Sequence, residues 1–497
     1  MYGEKSLWWG TFWMLVSNIA VKGLGFFYRV VMVRLLGAEG MGLIEMVTPL
    51  YAFLLVLAGL GIQPALSQKI AQNDAAHLDY LHTGRQIMLA AGVVLTVLAY
   101  LLCEEIVAVF APDPRIYLCF RTLLPAVPIV SIASAYRGWF QGRRQIAAIG
   151  GSQTAEQMIR VLCGVYLTKL MLDLPLSQAV SAASLATVCG ELGGFLLLLL
   201  LFWRQNHGSE CRRGRFSPAM AKELLRYGLP VTAGRLVNSG ILMAQAFLIP
   251  WALQKAGWDM RGATEIYGRF SGVAMTLLHL PGVFTAALSV AVLPAVAETL
   301  RPSAKDLLQK RICQSLSATV IFTLPGMAIL YLYAGELTAW IFDTPLAAPI
   351  LRVLAAGGVF WYIQVTLLSI LQGMGAAKQV LYGNILSGAL LLLGAVLFTP
   401  LPQFGILGAA LAADCAWCGG AIFNAWRIQA LGKLRIPWDK IVQAPALSLA
   451  AALACRMAVR PLLEKAVTQP QLAAATAGVF LGVYLLAIWR SGALKRR

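Results

Sequence analysis

Charge is scarce in this chain. Only 12% of its 497 residues are Asp, Glu, Lys or Arg, and acids are the rarer kind, 22 against 40 bases. A soluble domain carries about a quarter, so with 59% hydrophobic residues and a mean hydropathy of +0.73 the sequence belongs in a bilayer. Motifs of chemistry are missing too. No metal-ligand spacing, glycine-rich phosphate loop or nucleophile–base constellation stands out, so no cofactor and no metal are expected. Of the four histidines, His77 and His82 lie five apart in a connection, poor spacing for a metal on a helix. The nine cysteines are scattered, mostly inside apolar runs, which argues against a disulfide framework. Cys415-Ala-Trp-Cys418 has redox spacing but sits in an apolar helix without a βαβ setting, and is read as helix packing. The N-terminus lacks the short apolar core and small-residue cleavage site of a removable signal peptide, so the first helix is expected to stay.

What is present is a series of about 14 apolar runs, each long enough to cross about 30 Å of hydrocarbon. Their unbroken apolar character predicts helices rather than a barrel. The first two cover 8–36 and 42–68, and the fourth, fifth, seventh and eighth cover 116–140, 146–170, 223–253 and 265–298. Basic residues concentrate in alternate connections. Lys69 and Arg85, then Arg137, Arg143 and Arg144, then Arg204 to Arg226, then Arg301 to Arg311 fall on one side. Glu39, Glu104, Glu105, Asp113, Asp173, Asp259, Glu336 and Asp343 fall on the other. Cytoplasmic loops retain positive charge, so both termini are expected in the cytoplasm, the last ending Lys495-Arg-Arg497. The formal charge of +18 thus reflects topology and calls for no nucleic-acid partner.

A weak internal repeat is visible. Arg121 leads to Gln141-Gly142 and Arg352 to Gln372-Gly373 at a common offset, and the second and eighth runs also end alike. The expected architecture is an all-α polytopic membrane protein with two pseudo-symmetric six-helix lobes and two further helices. Residues 1–203 form the first lobe, 204–222 a cytoplasmic linker, 223–430 the second lobe, and 431–497 the two extra helices with a basic tail.

Charges inside the runs are expected to have a purpose, because an unpaired charge in hydrocarbon costs several kcal/mol. Lys22 and Arg29 lie seven apart, about two helical turns, and so point the same way. Gln153, Glu156 and Arg160 share a face of the fifth run, where Glu156 and Arg160 can pair. Arg235, Asn238, Leu242 and Gln245 share a face of the seventh. Glu265, Arg269, Gly272, Thr276 and His279 step by four and three down the eighth, a polar stripe at α-helical spacing. Glu45 on the second run completes the set. Plainer readings stay open. Arg34, Arg121 and Arg352 lie near run ends and can snorkel to headgroups. Glu156 with Arg160 also reads as a structural pair, His279 as a helix-contact residue, and Arg269 as a cation near the outer interface. Several arginines and a lysine around one cavity would attract an anion, with guanidinium forks suited to a diphosphate. Gly190 and Gly194 are spaced for close helix contact, and prolines within the runs permit bending.

Four segments carry a resemblance: Phe26-Phe-Tyr-Arg-Val-Val-Met-Val-Arg-Leu-Leu-Gly-Ala-Glu-Gly40, Gly61-Ile-Gln-Pro-Ala-Leu-Ser67, Ile266-Tyr-Gly-Arg-Phe-Ser-Gly272 and Leu293-Pro-Ala-Val-Ala-Glu298. They resemble the oligosaccharide flippases of the MOP exporter superfamily, in the stage V sporulation protein B branch, related to the lipid II flippases. The resemblance implies a 14-helix protein of the bacterial cytoplasmic membrane. It also implies outward movement of undecaprenyl-diphosphate-linked sugars by two lobes rocking about a central cationic cavity. It places Lys22 and Arg29 on or within a residue of first-helix basic positions that contact the diphosphate, and Arg269 on a basic position of the eighth helix. A second-helix arginine of that branch is replaced here by an apolar residue near Leu55, so the cavity is not identical. The last two helices are implied to hold the prenyl tail.

The leading expectation is therefore a flippase for a lipid-linked saccharide such as a peptidoglycan or polysaccharide precursor. Lys22, Arg29, Arg235, Arg269 and Glu45 would contact substrate, supported by Glu156, Arg160, Asn238, Gln245, Glu265, Thr276 and His279. The membrane potential or a coupled cation, H+ or Na+, would drive it, and cell-wall polymerases are the implied protein partners. A cation-coupled multidrug exporter of the same superfamily is the alternative, although cationic drugs favour acidic cavities and the runs hold few acids. A polyprenyl-linked sugar ligase or polymerase would be expected to present a large outer loop with catalytic acids or His, and the outer connections here are short.

Overall fold

A chain in hydrocarbon must satisfy each backbone N–H and C=O within its own segment. Every regular element among the described residues is accordingly helical. The computed structural model describes residues 5–206, 214–299, 305–463 and 469–491; the central part of the basic linker and the Lys495-Arg-Arg497 tail lie outside them.

Eleven stretches of described helix are long and apolar enough to cross a bilayer. The first, Val16–Gln72, contains two of the expected spans, because the helix α1 (Lys5–Gly59) breaks at Gly37. Gly37 has φ 70° and ψ 179°, a conformation open to glycine and costly for residues with a Cβ. The fifth expected span falls short on apolarity because it carries the polar residues singled out above, and the eighth is divided among shorter helices, of which only the last is strongly apolar. With these counted, the architecture is the all-α polytopic fold of about fourteen spans that the sequence predicts.

The chain divides into two compact units, Met1–Trp251 with Trp258–Gly268, and Ala252–Gly257 with Arg269–Arg497. The first unit continues from α1 through α2 (Ile62–Gln72), α3 (His77–Leu101), α4 (Cys103–Phe110), α5 (Ile116–Leu123), α6 (Ala126–Gly142), α7 (Ile146–Leu170), α8 (Leu176–Asn206), most of α9 (Pro218–Lys255) and α10 (Met260–Tyr267). The packing boundary thus follows the seventh span, whereas the lobe division drawn from the repeat falls at 204–222; that division remains a proposal. Tyr136, Trp139 and Phe140 of α6 anchor the first unit's core, with Trp139 edge-on to Phe202 at a centroid distance of 5.0 Å.

The second unit follows a π-helical stretch, Gly268–Ala274, with α11 (Met275–Leu278), α12 (Gly282–Ala297), α13 (Lys305–Leu332), α14 (Ala334–Phe342), α15 (Ala348–Gly373), α16 (Ala377–Phe398), α17 (Ile406–Gly432), α18 (Trp438–Leu463) and α19 (Gln469–Arg490). Its main core joins α12, α13, α15 and α17 through Val296, Leu316, Leu367 and Ile428. A smaller cluster, Ile321, Ala452, Phe480, Tyr484 and Ile488, ties α18 and α19 to α13.

Candidate functional site

The first helix carries the two cations on which the sequence reading centres. Lys22 is exposed and forms no ion pair among the described residues. Arg29 is held by Glu45 from beyond the Gly37 kink, Nη2 to Oε1 at 3.0 Å, with side-chain exposures of 35% and 10%. The sequence predicts a substrate contact for both Arg29 and Glu45; the structure brings them together as a pair.

A second group of charges lies deeper. Glu156 and Arg160, four apart on α7, pair at 2.9 Å as their spacing predicts. Glu191 of α8 joins them, accepting from Arg160 at 3.0 Å. Arg137 of α6 donates to Glu156 at 2.8 Å and stands 3.7 Å from Glu191. Two guanidiniums and two carboxylates therefore share one largely buried position, a distribution that offsets part of the cost of burying each alone. The backbone makes this possible. Gly190 and Gly194 bring α8 against Glu156 and Arg160, and a Cβ on Gly190 would lie 2.8 Å from the Glu156 carbonyl oxygen. The Tyr51 hydroxyl of α1 is buried and has no hydrogen-bond partner among the described residues.

Arg137 is a correction. The sequence reading gave it to a cytoplasmic connection, but α6 extends to Gly142 and holds it 12% exposed between two carboxylates. Arg143 and Arg144 still mark that connection. Glu191 is one of the few acids within the apolar runs, and nothing in its local sequence announces Arg137 and Arg160 as partners.

Arg235 and Asn238 are exposed on α9 together with Leu242, and Gln245 is half-buried, so the expected face exists but opens along most of its length. Glu265 is half-buried on α10 and Arg269 half-buried one turn later. The stripe from Glu265 to His279 is not continuous, because the π-helical turn Gly268–Ala274 inserts an extra residue into the helical period and rotates the faces of the later residues. Thr276 is buried with its hydroxyl donating to the Gly272 carbonyl at 2.7 Å. His279 lies against Trp361, ring centroids 4.6 Å apart, in keeping with its reading as a helix-contact residue.

Another polar cluster was missed. Asp113, fully buried between α4 and α5, accepts from the Arg115 guanidinium at 2.7 Å and from the Thr264 hydroxyl of α10 at 2.7 Å, while Arg115 also pairs with Glu39 of α1. Its hydrogen bonds to Asp113, and then to Glu39, push the Arg115 guanidinium above its ordinary range, so it stays charged. Beside this clamp α1 and α10 touch backbone to backbone: a Cβ on Gly268 would overlap the Ala38 carbonyl, and one on Gly42 the Thr264 carbonyl.

The sequence model for the family described as polysaccharide biosynthesis protein matches residues 7–300. Stage V sporulation protein B of Bacillus subtilis (strain 168) is 28% identical over 419 residues, 81% of this chain and 80% of that protein. Lipid II flippase MurJ of the same organism is 23% identical over 408 residues, 74% and 73% of the two chains. A solved lipid II flippase MurJ in an inward closed conformation superposes with a TM-score of 0.77 at 13% identity, over 97% of this chain and 99% of that one. An inward-facing multidrug resistance MATE family transporter of the MOP superfamily gives 0.71 at 17% identity, over 83% and 95%. At these identities the structural likeness is one of fold. The chain belongs to the polysaccharide biosynthesis protein family and is a multi-pass membrane protein that shares the fold of that flippase and that multidrug transporter.

Proposed function

We propose that this protein is a transporter that moves an undecaprenyl-diphosphate-linked saccharide, a peptidoglycan or polysaccharide precursor, from the inner to the outer leaflet of a bacterial cytoplasmic membrane by alternating access. The observation that carries the reading is the partly exposed Arg29, paired with Glu45 inside an apolar helix and two turns from an exposed Lys22. Such cations are retained in a membrane helix where they meet an anion, and among the anions a membrane carries on its lipids a diphosphate suits the arginine fork. In this reading Lys22, Arg29 and the exposed Arg235 bind the diphosphate, and Glu45 holds Arg29 when substrate is absent. Arg269 has the same proposed role on its own unit. Asn238, Gln245 and Glu265 supply polar contacts for the sugar, and the Glu156–Arg160 pair supports the helices behind them. Both termini face the cytoplasm, as the loop cations favour. A coupled H+ or Na+, or the membrane potential, drives transport, and a cell-wall polymerase consumes the delivered precursor. The relative named a lipid II flippase supports this substrate class.

Cation-coupled drug export is the second reading, favoured by the multidrug transporter fold match. The experiment that separates them reconstitutes the protein in liposomes with imposed ion gradients, presenting fluorescent undecaprenyl-diphosphate sugars and a fluorescent cationic drug in parallel. Translocation of the lipid-linked sugar alone supports the flippase. Movement of the drug alone overturns it.

A further inference from the structure

A cavity of about 790 Å³ lies within the second unit between α13, α18 and α19, and no residue assigned to the substrate above lines it. Its origin is local. Pro445 inside α18 has no N–H to offer the Ile441 carbonyl, which loosens that turn, and Ala318, Ala444 and Ala487 are too small to fill the space left. The three helices are pinned together by the Phe480 and Tyr484 cluster, with the Tyr484 hydroxyl donating to the Ile321 carbonyl at 3.0 Å. The opening is therefore bounded by fixed walls.

The lining has two chemistries. Lys310 and Lys440 stand in the first two turns of α13 and α18, both exposed and neither in an ion pair among the described residues. Asp306 and Asp439 stand in the first turns of the same helices but do not line the cavity. No carboxylate lines the cavity among the described residues. Besides the lysines and a few neutral polar side chains, among them Gln314, Gln443 and Ser448, the lining presents an apolar wall, with Ile321 buried and Phe322 and Leu447 exposed by 47% and 64%. A soluble phosphate compound would leave those apolar surfaces unused, and an apolar ligand would leave the lysines unused.

We propose that this cavity binds an anionic glycerophospholipid of the surrounding leaflet, its phosphate between Lys310 and Lys440 and an acyl chain along Ile321, Phe322 and Leu447. Basic pockets between transmembrane helices suit such headgroups. Two lysines act as point charges matched to a single phosphodiester, whereas a diphosphate is better met by the bidentate fork of arginine. The lipid would join α18 and α19 to α13 where the protein leaves a gap.

The test uses the full chain, purified and delipidated, titrated with phosphatidylglycerol or phosphatidylcholine under native mass spectrometry. The wild type should retain phosphatidylglycerol preferentially. A Lys310→Gln, Lys440→Gln variant should bind it about thirtyfold more weakly, from roughly one kcal/mol per near-surface lysine, with phosphatidylcholine unaffected. Ala444→Trp, which fills the cavity and keeps both lysines, should lose phosphatidylglycerol as well. Cys313 lines the cavity, so its alkylation, mapped by peptide mass spectrometry, should slow when phosphatidylglycerol is added. Equal retention of the two lipids, or wild-type binding by the double variant, overturns the proposal. Protection of Cys313 by undecaprenyl diphosphate or inorganic phosphate but not by phosphatidylglycerol overturns it too, and reassigns the cavity to that ligand.

Discussion

Arg29 and Glu45 stand on opposite sides of the Gly37 kink and meet at 3.0 Å, so the first helix is folded back on its own charge. The guanidinium expected to hold a diphosphate is occupied by a carboxylate. An incoming phosphate must displace Glu45, which makes binding an exchange of one anion for another in a medium where each is costly to leave alone.

Glu45→Gln should therefore tighten diphosphate binding, by about tenfold if the carboxylate competes with the equivalent of one charge-assisted hydrogen bond. Titration of the variant with undecaprenyl diphosphate in nanodiscs reads this directly. Unchanged or weaker affinity would show that Glu45 does not compete for Arg29.

The four-charge group of α6, α7 and α8 should behave as a unit. Removing one member, as in Glu191→Leu, leaves two largely buried guanidiniums sharing the single carboxylate of Glu156 and should cost about 3 kcal/mol of stability. Pairing it with Arg160→Met should recover part of that loss. A thermal-melt double-mutant cycle in detergent reads the coupling; strict additivity would mean that the charges act independently.

Asp113 accepts from both Arg115 and Thr264, and its replacement tests whether that clamp holds α10 to the first unit. Asp113→Asn should lower stability by about 2 kcal/mol, the effect of weakening hydrogen bonds to a buried charged group. Thr264→Val should cost less, since it removes one of Asp113's donors and leaves Arg115 in place. The reverse order in melting temperature would contradict the assignment.

Close backbone contact makes a sharper contrast. Gly268→Ala and Gly42→Ala place a methyl on a carbonyl of the neighbouring helix and should sharply reduce the folded fraction recovered by size-exclusion chromatography. Gly23→Ala meets nothing within 4 Å and should be neutral or stabilising by up to about 1 kcal/mol. Equal behaviour of the three variants would refute the packing described for α1 and α10.

The spans were legible in the sequence because a run that must bond to itself in hydrocarbon has one solution, the helix. The Glu156–Arg160 pair was legible because four residues on one helix fix its geometry. Arg137 and Glu191 were not, since their meeting depends on how closely three helices approach, and that is set by Gly190 and Gly194. Those glycines stand out by their spacing, yet spacing does not say which neighbour they admit. Gly37 gave no sign among 46 glycines that it would break α1. The polar stripe after Glu265 was drawn with a constant α-helical period, which the π-helical turn at Gly268 interrupts.

The most direct test of the transport account measures translocation of fluorescent undecaprenyl-diphosphate sugars in proteoliposomes by the wild type, Lys22→Ala and Arg29→Ala, matched for protein incorporated. The account predicts that the wild type flips the lipid and that each variant loses flipping at normal abundance. Full transport by both variants would contradict it.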